Sequence, residues 1–166
     1  MPKAAAYLDT CIVSGLAKSD LTGADASALL RVLEAWRTGE IELVTSDVTK
    51  KEISRIPAEY RAPHLAIYNL LLDVPAAPTH IAGSRILHGT VLSAIWQEDP
   101  LFNQLRNLLP DAGDAEHVFQ AAKSKMSYLI TVDRASFLKH LAAIQRLCGV
   151  RLATPPQFEA AALAKV

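Results

Sequence analysis

Cysteine is scarce in this chain, with Cys11 and Cys148 the two among 166 residues. Neither belongs to a Cys-x-x-Cys pair or to a Cys/His cluster with zinc spacing, which argues against a disulfide framework or a structural zinc. The expected home is therefore a reducing, cytoplasmic one. No charged start leads into an apolar stretch with a small-residue cleavage site, and no apolar run reaches the roughly 18 residues of a membrane span. A soluble protein with no membrane partner is expected. Excess charge is absent too: Lys plus Arg and Asp plus Glu both count 17, so overall charge gives no reason for sequence-blind binding to nucleic acid or anionic lipid. No internal repeat, low-complexity tract or Gly/Ser linker offers a place to cut the chain, and 51% hydrophobic content is enough for one core. Residues 1–166 are read as a single domain. Also missing are a G-x-x-x-x-G-K-[ST] phosphate loop, a Rossmann glycine fingerprint, a G-x-S-x-G elbow and an H-E-x-x-H site, which removes the common nucleotide-binding, serine-hydrolase and zincin readings.

What is present is an alternation of two kinds of apolar segment. Short runs at 4–8 (AAAYL), 41–45, 70–74 (LLLDV), 127–131 (SYLIT) and 149–153 have strand length. Between them lie segments with helical spacing. Residues 25–37 put Leu29, Leu30, Leu33 and Trp36 on one stripe before Gly39. A helix capped by Thr45 or Ser46 places Val48, Ile53 and Ile56 toward a core, and a further piece covers 58–71. Residues 84–97 and 100–109 read as two helices broken where Asp99 caps and Pro100 takes the first helical position. Helices over 113–125 and 135–149 and a short terminal one after Pro156 complete the pattern. Strands separated by helices, without two-residue hairpin turns, predict a three-layer α/β/α sandwich around a parallel sheet of about five strands.

Ligands in such sheets bind beyond the carboxyl ends of the strands. Asp9 follows the first strand there, and Asp133 follows the run YLIT. Asp114 opens a helix just before that run, and Glu52 lies one to two turns inside the helix after 41–45. Taken singly, each aspartate is ordinarily a helix cap and Glu52 a solvated helix residue. Four independent caps or surface acids, however, have no reason to share one edge. Converging carboxylates repel one another unless a cation neutralises them, and hard oxygen ligands favour Mg²⁺ or Mn²⁺. Such an ion clamps a phosphate oxygen and activates water, which is phosphodiester hydrolysis chemistry.

The segments YLDTCIVSGLA, SDVTKKEI, DAEHVFQAA, LITVDRASFL and VRLATPPQF, in this order, resemble nearly end to end those of the PIN domain family of metal-dependent nucleases. The resemblance implies that Asp9, Glu52, Asp114 and Asp133 are catalytic and metal-binding, that Mg²⁺ or Mn²⁺ sits between them, and that single-stranded RNA is the substrate. It further implies supporting roles for Thr10 and Thr131, whose hydroxyls would orient a carboxylate or water. His117, three residues after Asp114, could face the same site. Many PIN proteins resembling the toxins of toxin–antitoxin pairs carry TRN and then an Asp before the Phe. This chain has Thr131, Val132, Asp133 and then Ser136 before Phe137, and so looks closer to the wider family. The expectation of a toxin paired with an antitoxin-like protein stands beside that of a homodimer, since Ile86, Leu87, Leu92, Ile95 and Trp96 offer an apolar face for either the chain's own core or a second chain.

After His117 there are seven basic residues against two acids. Of these, Lys123, Lys125, Arg134 and Lys139 are taken as RNA phosphate contacts, which position a backbone without reading its bases. A haloacid-dehalogenase-like phosphatase would need a second Asp at position 11, where Cys stands, and a response-regulator receiver would need acids and a Lys that are not evident. The competing reading from another class is a non-catalytic PIN-like module that binds RNA or protein. Degenerate acids would favour it, and all four are intact.

Overall fold

The computed structural model describes residues 3–73 and 98–163. Its centre is a four-stranded, wholly parallel sheet in the order β2-β1-β3-β4, built from β1 (Ala4–Leu8), β2 (Ile41–Val44), β3 (Tyr128–Ile130) and β4 (Arg151–Ala153). Apart from Glu42 in β2 and Arg151 at the start of β4, the strand residues are apolar and must be covered on both sides, which is what a parallel sheet demands. The pleat sends alternate side chains to opposite faces. Ala6, Leu8, Leu43, Ile130 and Ala153 enter one core, and Tyr7, Val44, Leu129 and Leu152 enter the other.

Eight α-helices among the described residues supply the cover. On the first face lie α1 (Thr10–Lys18), α2 (Gly23–Arg37), α4 (Ala58–Asp73) and α8 (Pro155–Ala162), which bring in Ile12, Leu29, Val32, Tyr68 and Phe158. The second is covered by α5 (Pro100–Leu108), α6 (Ala112–Lys123) and α7 (Leu141–Cys148), through Leu105, Val118, Phe119 and Ile144. The arrangement is compatible with three α/β/α layers. The remaining helix, α3 (Asp47–Ser54), leaves the carboxyl end of β2 and contributes Ile53 to the first core.

Helix ends follow local chemistry. Ser46 caps α3 by accepting from Val48 N–H at 3.2 Å. Asp99 caps α5 with Pro100 as its first residue. Gly149, at φ +79°, stops α7 in the left-handed region that glycine enters without a Cβ penalty.

Two expectations need correction. Residues 70–73 are not a strand but the last turn of α4, so the sheet has four strands rather than five. Tyr68 and Leu71 are buried while Leu70 is 62% exposed, which is a helical and not an alternating pattern. A short apolar run such as LLLDV satisfies either period, and the helix already running from Ala58 decides it. The helix expected over 135–149 begins later, as a turn followed by a 3-10 segment at Leu138–His140 and then α7. Asp133 Oδ1 accepts from the N–H groups of Ala135 and Ser136, at 2.9 and 2.8 Å, and this bends the chain first. The helix expected over 84–97 and its apolar residues from Ile86 to Trp96 lie outside the described residues.

Candidate active site

From β1 the chain travels outward to β2, and it later returns to lay β3 against the other side of β1. The crevice at the carboxyl ends of β1 and β3 is therefore the point where strand order reverses, the usual ligand position in open α/β sheets. Asp9 sits there directly after β1, its N–H bonded to Ile130 O at 3.1 Å. Thr131 follows β3 in the next position and donates its hydroxyl to Asp9 Oδ2 at 2.8 Å. The same hydroxyl oxygen accepts from Asp133 N–H at 3.0 Å. Cys11 lies 3.2 Å from it and accepts from Val132 N–H, also at 3.2 Å. Burial and the neighbouring Asp9 carboxylate push the Cys11 thiol far up, so it serves as a neutral packing and hydrogen-bonding group rather than a nucleophile.

The cap reading separates the aspartates. Asp9 occupies the N-cap position of α1 but makes no side-chain cap hydrogen bond. The cap of α6 is Asp111, which accepts from Gly113 and Asp114 N–H, leaving Asp114 in the first turn with its side chain free of that duty. Asp133 does cap its turn, through Oδ1. Burial, followed by repulsion from Asp9, Asp111 and Asp133, pushes the Asp114 carboxyl up to about 7, against a smaller opposing pull from His117. Acids from distant stretches of sequence thus feel one another at this edge.

Glu52 is held by His117. Its Oε2 lies 3.1 Å from His117 Nε2, and the same nitrogen is 3.6 Å from Asp9 Oδ1 and 3.0 Å from Thr10 Oγ1. Burial alone would raise the Glu52 pKa, but the His117 hydrogen bond and charge, Thr10 and Arg55 outweigh it and leave the carboxyl below its ordinary range. Burial likewise opposes charge on His117, yet Glu52, Asp9 and Asp114 hold the imidazole above its usual value. On the other side of the ring, Nδ1 is 2.8 Å from the Tyr7 hydroxyl, which also contacts Ser46 Oγ. Gly113 backs the arrangement, since a Cβ there would collide with Glu52 Oε1. A cavity of about 100 Å³ opens beside Glu52 between α3 and α6, with Lys51 and Arg55 at its lining.

The cationic residues split by position. Arg134 and Lys139 are exposed just beyond β3, on the same edge as the acids. Lys123 ends α6, the helix whose first turn carries Asp114, and Lys125 lies in the turn leading into β3. Both therefore lie toward the opposite edge of the sheet. Lys123 is also paired with Asp99 at 2.6 Å and stands over the Phe119 ring.

Sequence reading missed Tyr7, Asp111, Gly113 and Arg55, and took Ser46 for a helix cap alone, without its contact to Tyr7. Tyr7 reads as one more apolar strand residue, and only the pleat, which turns it away from Ala6 and Leu8, brings it under His117. Asp111 could have been found, because an Asp before Ala-Gly-Asp at a helix start is a better cap than the residue three places later.

The donor set of Asp9, Glu52, Asp114 and Asp133 is all oxygen and fits a hard divalent cation in its chemistry. Repulsion on Asp114 is the kind of cost that such a cation relieves. Among the described residues, however, no three His, Cys, Asp or Glu side chains stand close enough to cage an ion without side-chain movement. Among those residues, too, no helix is long and apolar enough to cross a membrane. Compared with family models, curated proteins and solved structures, the chain gave no match.

Proposed function

We propose that the chain is a PIN-like, metal-dependent endoribonuclease that hydrolyses phosphodiester bonds of single-stranded RNA. The observation that carries this reading is Asp114. A carboxylate released from capping, pushed up to about 7 in the company of Asp9 and Asp133, at the crevice where the strand order reverses, has no structural duty to explain it. The parallel β2-β1-β3-β4 order, with the first strand central, adds support from the fold.

Asp9, Asp114 and Asp133, joined by Glu52, would hold Mg²⁺ or Mn²⁺. That ion, when bound, supplies charge stabilisation for the phosphoryl oxygens and acidifies an attacking water. The chain's own residues prepare the place. Thr131 fixes the rotamer of Asp9 and the start of the Asp133 turn with one hydroxyl. His117 holds Glu52 at the wall of the crevice. Arg134 and Lys139, exposed beside the site, would take backbone phosphates, as would Arg55 next to Glu52.

A second reading has its own observation: Glu52 is engaged by His117 rather than standing free, which suits a non-catalytic RNA- or protein-binding module. Cleavage of a labelled single-stranded RNA with Mn²⁺ or Mg²⁺, with and without EDTA, in wild type and Asp9→Asn, decides between them. Loss of cleavage on both chelation and substitution is expected. Cleavage that survives both belongs to another site, and RNA binding without any cleavage favours the module.

A further inference from the structure

An imidazole lies in this crevice within reach of two of its acids, Glu52 and Asp9. His117 is 1% exposed, and each of its ring nitrogens has partners: Nδ1 the Tyr7 hydroxyl, Nε2 Glu52, Thr10 and Asp9. Tyr7 is buried in turn, in edge contact with the ring at 5.5 Å between centroids, and its hydroxyl is closed off by Ser46, the cap of α3. The chain Ser46–Tyr7–His117 thus seats the ring so that Nε2 faces Glu52. In either charge state Nε2 can carry a hydrogen to donate, because the two hydroxyls can reverse direction to suit Nδ1.

We propose that Tyr7 and His117 are positioning residues that hold Glu52 in competition with the cation. The Glu52 carboxylate is engaged by the ring and backed by Gly113, and it must leave His117 before it can join Asp9, Asp114 and Asp133 around an ion. The competition is visible in the geometry, because His117 Nε2 stands between two of the acids, 3.1 Å from Glu52 Oε2 and 3.6 Å from Asp9 Oδ1, where a cation bridging them would have to displace it. It rests on the reading of the four acids as cation ligands.

The test is calorimetric titration of Mn²⁺ into the full chain, metal-free at the start. Tyr7→Phe removes the hydroxyl that seats the ring at nearly constant volume, and His117→Asn keeps an amide on the Tyr7 side but is too short to reach Glu52. Both should bind Mn²⁺ more tightly, by roughly 3- to 10-fold, the size of one modest hydrogen bond. His117→Gln, which restores an N–H near the place of Nε2, should return the affinity to the wild-type value. A merely structural role for the pair predicts weaker binding in all three. Tyr7→Phe, the mildest change, keeps the test standing if His117→Asn does not fold. Unchanged or weaker binding by folded Tyr7→Phe and His117→Asn, while Asp114→Asn still weakens binding, overturns the competition and leaves the cation site. No heat from wild type, or no effect of Asp114→Asn, overturns both.

Discussion

A carboxyl group pushed up to about 7 binds its proton more tightly in the folded than in the unfolded chain. The stability Asp114 contributes is therefore fully present below its unfolded value near 4 and is lost as pH rises through about 7. Asp114→Asn removes that loss. In metal-free protein its melting temperature should match wild type near pH 4 and exceed it increasingly toward pH 8. Because the group is only half-buried, solvent screening reduces the effect to on the order of 1 kcal/mol. The same substitution should abolish metal-dependent cleavage, so stability and activity move in opposite directions. Thr131 is the opposite kind of residue. It is fully buried, and its one hydroxyl serves Asp9, Asp133 and Cys11 together. Thr131→Val leaves a buried carboxylate oxygen and a backbone N–H without their partner, and should cost about 1–3 kcal/mol in urea unfolding. Thr131→Ser, which keeps the hydroxyl, should recover most of it.

Elements decide which cations lie near the acids. A crossover helix runs back against the strands it connects, so the start of α6 lies at the acid edge and its end lies at the other. Lys123 and Lys125 are carried away from the site by that geometry, although they are near Asp114 in sequence. The expected measurement is the salt dependence of single-stranded RNA binding. Arg134→Ala and Lys139→Ala should each flatten the slope of log K against log salt by about 0.7. Lys123→Ala and Lys125→Ala should leave it unchanged. The same scale explains why residues 70–73 are misread from sequence: a run of three leucines carries no period of its own, and the helix starting at Ala58 absorbs it. Strands β1 to β4, by contrast, were legible to within two residues because their apolar runs stand between caps and turns.

At the scale of the whole molecule, the terminal helix α8 closes the first core. Phe158 is fully buried and meets Tyr128 of β3 edge-on at 5.2 Å, while Glu159 pairs with Arg31 of α2 on the surface. Phe158→Ala should cost about 3–5 kcal/mol, read from the denaturant midpoint, whereas Glu159→Gln should change it little, because an exposed pair contributes little to stability. What the amino-acid order alone determined was local. Apolar runs of strand length, helix caps and the acids that follow them are set by neighbours along the chain, and they put Asp9 and Asp133 just beyond strands, Asp114 at a helix start and Glu52 within a helix. Tertiary structure decided which of those acids is free of capping, which lysines face away, and that Tyr7 lies beneath His117 across 110 positions of sequence. Hydrogen bonds between such distant groups exist only once strand order and pleat have brought them together, and no periodicity in the chain records that partnership.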